Sequence, residues 1–250
     1  MNKPKSFESL QNYPDKIVAV FVDYHEAMNK ARKAATVPVG ASGDQIRAAQ
    51  DKLADLSQKA ENDSLTLYSN LLAAVNSHEK SAQKEIDLSL GFRVDSADTQ
   101  ENLLREMRER SAWERIKPVL DREDVFSISN SLGALVRDFA LSHDKDSLSV
   151  IRRELPLYLR ARFPKDDIFT EAIDAFERAL ADTLPEAVSA LTFQRELRSG
   201  VYQLRMAISY AEYAIKQNEL EFVIPVWEKG KNVVVTTTGS RDLTVKDSQI

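Results

Sequence analysis

The stretch LPEAVSALTFQRELRSGVYQLRMAISYAEYAIKQNE, residues 184–219, decides the fold class of this chain. Mostly apolar or small side chains recur along it at alternating steps of four and three residues, the heptad spacing of a helix seam. This seam consists of Ala190, Gln194, Leu197, Val201, Leu204, Ile208, Ala211 and Ile215. Four further side chains, those of Tyr202, Met206, Tyr210 and Tyr213, add apolar surface on other sides. The pattern predicts a helix that is apolar nearly all round and forms the central rod of a bundle, with neighbours on several sides.

The chain before this rod predicts further long helices. Ile17, Phe21 and Tyr24 step by four and three in a helix over residues 14–35, although residues 17–22 alone would also fit a short buried strand. Ser42 and Gln45 have the spacing of a capping box. They predict the start of a second helix that reaches about residue 88, with a kink near residues 62–64.

Four shorter helices are predicted between this second helix and the rod. The first follows a cap at Asp98 and is kinked or ended by Pro118, and the next covers residues 122–141. Ser147 is the candidate cap of a helix that Pro156 kinks or splits, and a last one opens at Pro164. The composition supports this series of helices, because Gly and Pro are few, at seven and eight residues.

After Glu219 the apolar period changes from 3.6 to 2. Residues 222–227 and 233–238 predict a β-hairpin with its turn at 228–231, and residues 243–245 offer a third strand. Pro225 would confine its strand to a sheet edge. The predicted fold class is therefore mainly all-α: an elongated multi-helix bundle with long coiled-coil-like helices and a small C-terminal β-hairpin. Residues 1–13 are interpreted as a flexible leader, 14–220 as the helical bundle, and 221–250 as a hairpin tail packed on the bundle or on a partner chain.

Bulk properties exclude several classes of protein. The chain has no cysteine, so disulfides and thiolate zinc sites are excluded, and its net charge of −5 disfavours a dominant nucleic-acid role. The longest apolar run, residues 17–22, is too short to cross a bilayer, and no apolar signal segment occurs at the N-terminus. We therefore expect no transmembrane segment and a cytoplasmic location, with export by a signal-less route left open.

The sequence contains no motif that predicts catalysis. Walker A, Rossmann and kinase signatures are absent, and no Glu lies three residues before His25, His78 or His143, as a ferritin-type metal site requires. The residues Gly40–Gly43 are better explained as a loop and helix cap than as an anion site. We expect no enzyme activity, no catalytic residue, no metal site and no cofactor.

Arginine is concentrated between residues 105 and 205, and this distribution has two interpretations. Eleven of them lie on the predicted helix after Asp98, on the one that begins near Ser147 and on the rod: Arg105, Arg108, Arg110, Arg115, Arg152, Arg153, Arg160, Arg162, Arg195, Arg198 and Arg205. They could line a surface that binds nucleic acid or a membrane, but acidic residues are interspersed among them, so internal ion pairing is the preferred interpretation. Arg198 and Arg205 stand out because they lie on the mostly apolar rod, where each needs an acidic partner or an interface.

These observations lead to one functional hypothesis and one alternative. The chain is interpreted as a non-enzymatic structural or interaction protein that presents long amphipathic helices to protein partners, including copies of itself, within a larger assembly. The alternative is a helical nucleic-acid or membrane-surface binder that uses the Arg-rich faces of residues 105–205. The candidate interaction residues are Arg198, Arg205, Tyr202, Tyr213 and Trp227.

Overall fold

Helices make up most of the chain, as the sequence predicts. The computed structural model describes residues 5–92, 99–164, 168–225, 232–237 and 243–248. The helices are α1 (Lys5–Leu10), α2 (Tyr13–Ala34), α3 (Gly43–Ser89), α4 (Thr99–Leu120), α5 (Ile128–Leu141), α6 (Lys145–Arg162), α7 (Ile168–Thr183) and α8 (Val188–Gln217). A short 3-10 helix at Pro185–Ala187 precedes α8. The strands are β1 (Glu221–Pro225), β2 (Asn232–Thr237) and β3 (Leu243–Ser248).

The three strands form an antiparallel sheet in the order β1, β2, β3. The pairing of β1 with β2 runs from Glu221 opposite Thr236 to Pro225 opposite Asn232. Pro225 therefore ends an edge strand, where a missing N–H interrupts no central ladder. Trp227 and the predicted turn at 228–231 lie outside the described residues.

The chain divides into two compact units. Unit 1 contains Gln83–Arg195, and unit 2 contains Lys3–Ala82 and Glu196–Ile250. The sequence placed residues 14–220 in a single bundle, whereas α3 and α8 each contribute to both units. The reason is that an apolar seam continues along each of these helices, and periodicity does not reveal where the neighbours of a helix change.

Unit 1 has a core built from α4 to α7. Helix α5 packs against α7, and α4 packs against α6. Each helix contributes apolar side chains at steps of three or four residues, so that one face is covered. The buried members include Ile116, Leu120, Leu132, Val136, Ile151, Leu155, Phe176 and Leu180.

Unit 2 has a core formed by α2, α3 and α8. Its buried side chains include Ile17, Phe21 and Tyr24 of α2, Tyr68 and Val75 of α3, and Val201, Leu204, Ile208, Ala211 and Ile215 of α8. Residues 17–22 lie within the continuous helix α2, which settles the helix-or-strand ambiguity in favour of the helix. Tyr68 is fully buried, and its hydroxyl donates to the carbonyl of Ile17 at 3.1 Å, which satisfies the polar end of the ring. Burial raises the pKa of Tyr68 far above its usual value.

The helix α8 is formed and most of the seam predicted along it is buried, but the predicted cover on nearly all sides was wrong. Leu204 and Ile208 have almost no exposed surface, whereas Tyr202, Tyr210 and Tyr213 are exposed. In unit 2 the helix therefore has one covered side and one open side. The sequence suggested cover nearly all round because tyrosine suits both a core and a surface.

Part of the segment that was interpreted as a flexible leader, residues 1–13, is helical. Lys5–Leu10 form α1, and the Leu10 side chain is fully buried. A helix of six residues is too short to show an apolar period. The Leu10 side chain brings α1 into contact with a core, and one buried leucine leaves no periodic pattern in the sequence.

Local side-chain hydrogen bonds decide where several helices begin. Ser42 and Gln45 form the predicted capping box, with Ser42 N donating to Gln45 Oε1 at 2.9 Å. The helix predicted from residue 122 begins only at Ile128, because Asp124 Oδ1 accepts from Ser127 N at 2.9 Å in a turn that competes with the helix. The hydrogen bonds from Ser127 lower the pKa of Asp124.

The cap of α6 is also shifted relative to the prediction. Asp144, not Ser147, occupies the N-cap position, and its Oδ1 accepts from Ser147 N at 3.0 Å. The Ser147 hydroxyl donates to Oδ2 of the same carboxylate at 2.7 Å. Both residue types favour this position, so the sequence alone did not separate them.

Helices α3, α5 and α8 end in the same way. Each is followed by a residue with a left-handed backbone: Gly91 at φ 69°, His143 at φ 56° and Asn218 at φ 52°. The next N–H then bonds back into the last turn, as from Phe92 to the carbonyl of Asp87 at 2.9 Å. After α3 this motif turns the chain so that Phe92 enters the core of unit 1.

His25 is a buried imidazole in unit 2. Its ring is in edge-to-face contact with Phe21 and Tyr24, with centroids 4.5 and 5.0 Å away. Among the residues that the structure describes, its Nε2 has no hydrogen-bond partner. Burial lowers the pKa of His25 below its usual 6.5, the Glu219 carbonyl opposes this shift, and the charge of Arg32 adds to it.

We expect unit 2 to lose stability as the pH falls through about 6.5. The unfolded chain takes up a proton at His25 in that range, and the folded chain resists doing so, hence acid favours unfolding. The measurement is the urea midpoint as a function of pH for the wild type and for His25→Gln, which cannot titrate and keeps an N–H donor. The pH dependence should be weaker in His25→Gln, and identical curves would contradict this explanation.

Candidate interaction surface and polar cleft

One side of α8 in unit 2 presents an exposed row of tyrosines. Tyr202, Met206 and Tyr213 are spaced by four and seven residues, so they lie along one line of the helix, and Tyr210 lies beside them. The tyrosines are 64% (Tyr202), 47% (Tyr210) and 58% (Tyr213) exposed, and Met206 is half-buried. These four residues are called the tyrosine surface below. The row is about 16 Å long at 1.5 Å per residue, or three helical turns.

The fold fixes the direction in which the tyrosine surface points. Val201, Leu204 and Ile208 lie on the opposite side of α8 and are buried in the core of unit 2. Rotation of the helix would expose these aliphatic side chains, which costs about 1.5–3 kcal/mol for each one. The tyrosines are therefore held outward by the burial of the opposite face.

Basic residues border the tyrosine surface on one side. This basic border consists of Arg198, Arg205 and Lys216, which share one flank of α8 by their helical spacing. Arg205 Nη2 donates to Asn76 Oδ1 at 2.7 Å and forms an ion pair with Glu79 of α3. The pair leaves the Arg205 side chain partly exposed, so this guanidinium is positioned while it remains at the surface.

The structure places four of the five predicted interaction residues on this part of α8. Tyr202 and Tyr213 belong to the tyrosine surface, and Arg198 and Arg205 belong to its basic border. Trp227 lies outside the described residues. The requirement that an arginine on this helix have an acidic partner is met for Arg205 by Glu79. The role of these predicted residues in an interaction stays a prediction.

Unit 1 contains a polar cleft that sequence reasoning missed. Its volume is about 810 Å³, and it lies between the end of α3, the first turns of α4, the middle of α6 and Gln194 of α8. Its charged lining residues are Asp87, Glu106, Glu109, Arg105, Arg152 and Arg153, so the formal charges of the lining cancel.

Glu109 is the centre of the cleft's hydrogen-bond network. Its side chain is only 6% exposed. Oε1 accepts from Arg105 Nε at 3.0 Å and is 3.1 Å from Ser149 Oγ, and Oε2 accepts from Arg153 Nη1. Two guanidinium groups thus compensate the negative charge of one buried carboxylate. A charged carboxylate is tolerated in this position because it is paired and hydrogen-bonded.

The end of α3 supplies a second acceptor to the same network. The carbonyl of Phe92 accepts from Arg105 Nη2 and lies 2.9 Å from Ser149 Oγ. A serine hydroxyl has one proton, so Phe92 and Glu109 share it as acceptors. The left-handed turn at Gly91 directs this carbonyl toward α4 and α6 and thereby ties the three helices together.

Arg152 joins the other walls of the cleft. Its Nε lies 2.8 Å from Asp87 Oδ1, and its Nη2 donates to Gln194 Oε1. Gln83 Nε2 donates to the same Asp87 oxygen at 2.9 Å. These contacts link α3, α6 and α8 within unit 1. A charged ligand in the cleft would have to displace one of these internal ion pairs, and we therefore regard the network as structural.

Most of the Arg-rich faces are also occupied by internal contacts. At least seven of these eleven arginines lie within 4.0 Å of a carboxylate in the described part of the chain: Arg105, Arg108, Arg110, Arg152, Arg153, Arg195 and Arg205. Arg162 instead binds backbone carbonyls at the end of α4, including that of Asp121 at 2.7 Å. Such a contact satisfies acceptors that a helix end leaves open.

Comparison with protein-family models, with curated proteins and with solved structures finds no match for this chain. In the part of the chain that the structure describes, no helix is both long and apolar enough to cross a membrane. No group of three or more His, Asp or Glu side chains among the same residues is placed to hold a metal ion.

Proposed function

We propose that this chain is a non-enzymatic interaction protein that presents α8 to a protein partner within a larger assembly. The observation that carries the proposal is the tyrosine surface, where three large side chains remain exposed in one row. Tyrosine and arginine are enriched among the residues that contribute most to protein interfaces. An exposed aromatic row on a helix that is anchored by its opposite face has the composition and the rigidity of such a site.

The alternative, a nucleic-acid or membrane-surface binder that uses residues 105–205, has less support. A phosphate-binding stripe requires several guanidinium groups that are available together. Arg105, Arg152 and Arg153 are instead engaged by Glu109 and Asp87 inside unit 1. Each would have to give up an internal carboxylate before it could bind a phosphate.

The proposal predicts that a partner is retained through the tyrosines. The experiment is affinity purification from the native source with the wild type and with the double variant Tyr202→Ser/Tyr213→Ser. Retention should fall by about tenfold or more in the double variant, because each tyrosine loses its contact area. Binding of the identified protein to the purified chain is then measured by calorimetry.

The matched control is the double variant Leu104→Ser/Met107→Ser, which removes two exposed apolar side chains from α4 in unit 1. It should retain the partner as well as the wild type does. Equal retention by the tyrosine variant, or the absence of any specific partner, would contradict the proposed function.

A further inference from the structure

The basic border indicates the chemistry of the partner. All three of its side chains carry positive charge, and Arg205 and Lys216 are exposed. The acids beside this flank include Glu79, which is paired with Arg205, and Glu212, which is half-buried on α8. A partner that covers the tyrosines must place some of its own groups against this border, and negative groups match it best.

The shape of the tyrosine surface indicates a rod-like partner. Its side chains follow one line over three turns of α8, so a second helix laid along α8 would contact them in sequence. An amphipathic helix uses apolar residues at steps of three and four for such a contact. Its polar flank would then face the basic border.

We infer that the occupant of the tyrosine surface is an acidic amphipathic helix of another protein, an inference that rests on the proposed function. A second copy of this chain fits less well, because an interface between identical surfaces would bring two basic borders together. A nucleic acid also fits less well, because a phosphate backbone needs a continuous stripe of cations, and the row along α8 consists of tyrosines with basic residues on one flank only.

The test uses two synthetic helical peptides of about 20 residues with the same leucine face. One has glutamate and the other lysine on the polar face. Binding to the full-length chain is measured by fluorescence anisotropy at several salt concentrations. The glutamate peptide should bind, the lysine peptide should bind at least about tenfold more weakly, and added salt should weaken the glutamate peptide's binding.

The variants compare two equal changes of charge. Arg205→Gln/Lys216→Glu alters the basic border and should weaken the binding of the glutamate peptide by about tenfold. Arg47→Gln/Lys52→Glu makes the same change at exposed positions of α3 and should leave binding unchanged. Circular dichroism of each variant confirms that it is folded.

Several results would overturn the inference. They are equal binding of both peptides, binding of neither, an equal effect of the two charge variants, binding of a 20-mer oligothymidylate in place of the peptide, or a dimer by light scattering that Tyr202→Ser/Tyr213→Ser dissociates. If a native partner still depends on the tyrosines but is basic, the proposed function stands and only this inference fails. If no partner depends on the tyrosines, the proposed function itself fails.

Discussion

Glu109→Ala is expected to lower the free energy of unfolding of unit 1 by about 3 kcal/mol, at the lower end of the range for a broken buried ion pair. The substitution leaves Arg105 and Ser149 without the acceptor at Oε1, and Arg105 is itself largely buried. Arg153 is half-exposed and can turn to water or to Glu154. The loss of its partner therefore adds less to the decrease in the free energy of unfolding.

The same cleft supplies the control for this prediction. Glu106 lies one turn earlier on α4, lines the cleft and is exposed. Glu106→Ala should change the free energy of unfolding by no more than about 0.5 kcal/mol. Urea unfolding followed by circular dichroism measures the loss, and hydrogen exchange of the α4 and α6 amides assigns it to unit 1. Equal effects of the two substitutions would show that the Glu109 network contributes no stability of its own.

What could be predicted from the sequence is local. The seam of α8, the helical state of residues 17–22 and the capping box at Ser42 each depend on residues at most a few turns apart. A periodic pattern records that one face of a helix is buried. The burial of Leu204 and Ile208 could therefore be predicted from spacing alone.

What could not be predicted depends on distant neighbours or on competing local bonds. The i, i+4 pair of Arg105 and Glu109 is visible in the sequence, but Ser149 lies 40 residues away from Glu109. The cleft was missed because nothing near α4 shows that α6 faces it. The late start of α5 was missed because Asp124 can cap a helix or form a turn, and the turn is formed.

The exposure of the tyrosines belongs to the second group. A helix with apolar residues on several sides predicts neighbours on several sides, but the sequence does not state how many neighbours exist. In unit 2, α8 is covered on the side of Val201 and open on the side of Tyr202. The difference between expectation and structure is thus the feature on which the proposed function depends.

The covered and open sides of α8 lead to the second large effect. Leu204→Ala is expected to lower the free energy of unfolding of unit 2 by about 2–5 kcal/mol, because Leu204 is 2% exposed and its truncation leaves a cavity in the core. Tyr202→Ala, two residues earlier on the same helix, removes a larger but exposed side chain and should cost no more than about 1 kcal/mol.

The pair of variants separates the two roles of α8 in one measurement. Urea unfolding gives the stability of each variant, and hydrogen exchange of the α8 amides assigns the change to unit 2. Leu204→Ala should destabilise α8 while it leaves the tyrosine surface chemically intact, whereas Tyr202→Ala should weaken partner binding with little change in stability. A large loss of stability in Tyr202→Ala would mean that this side of α8 is covered in solution, and the tyrosine surface would then no longer be a site for a partner.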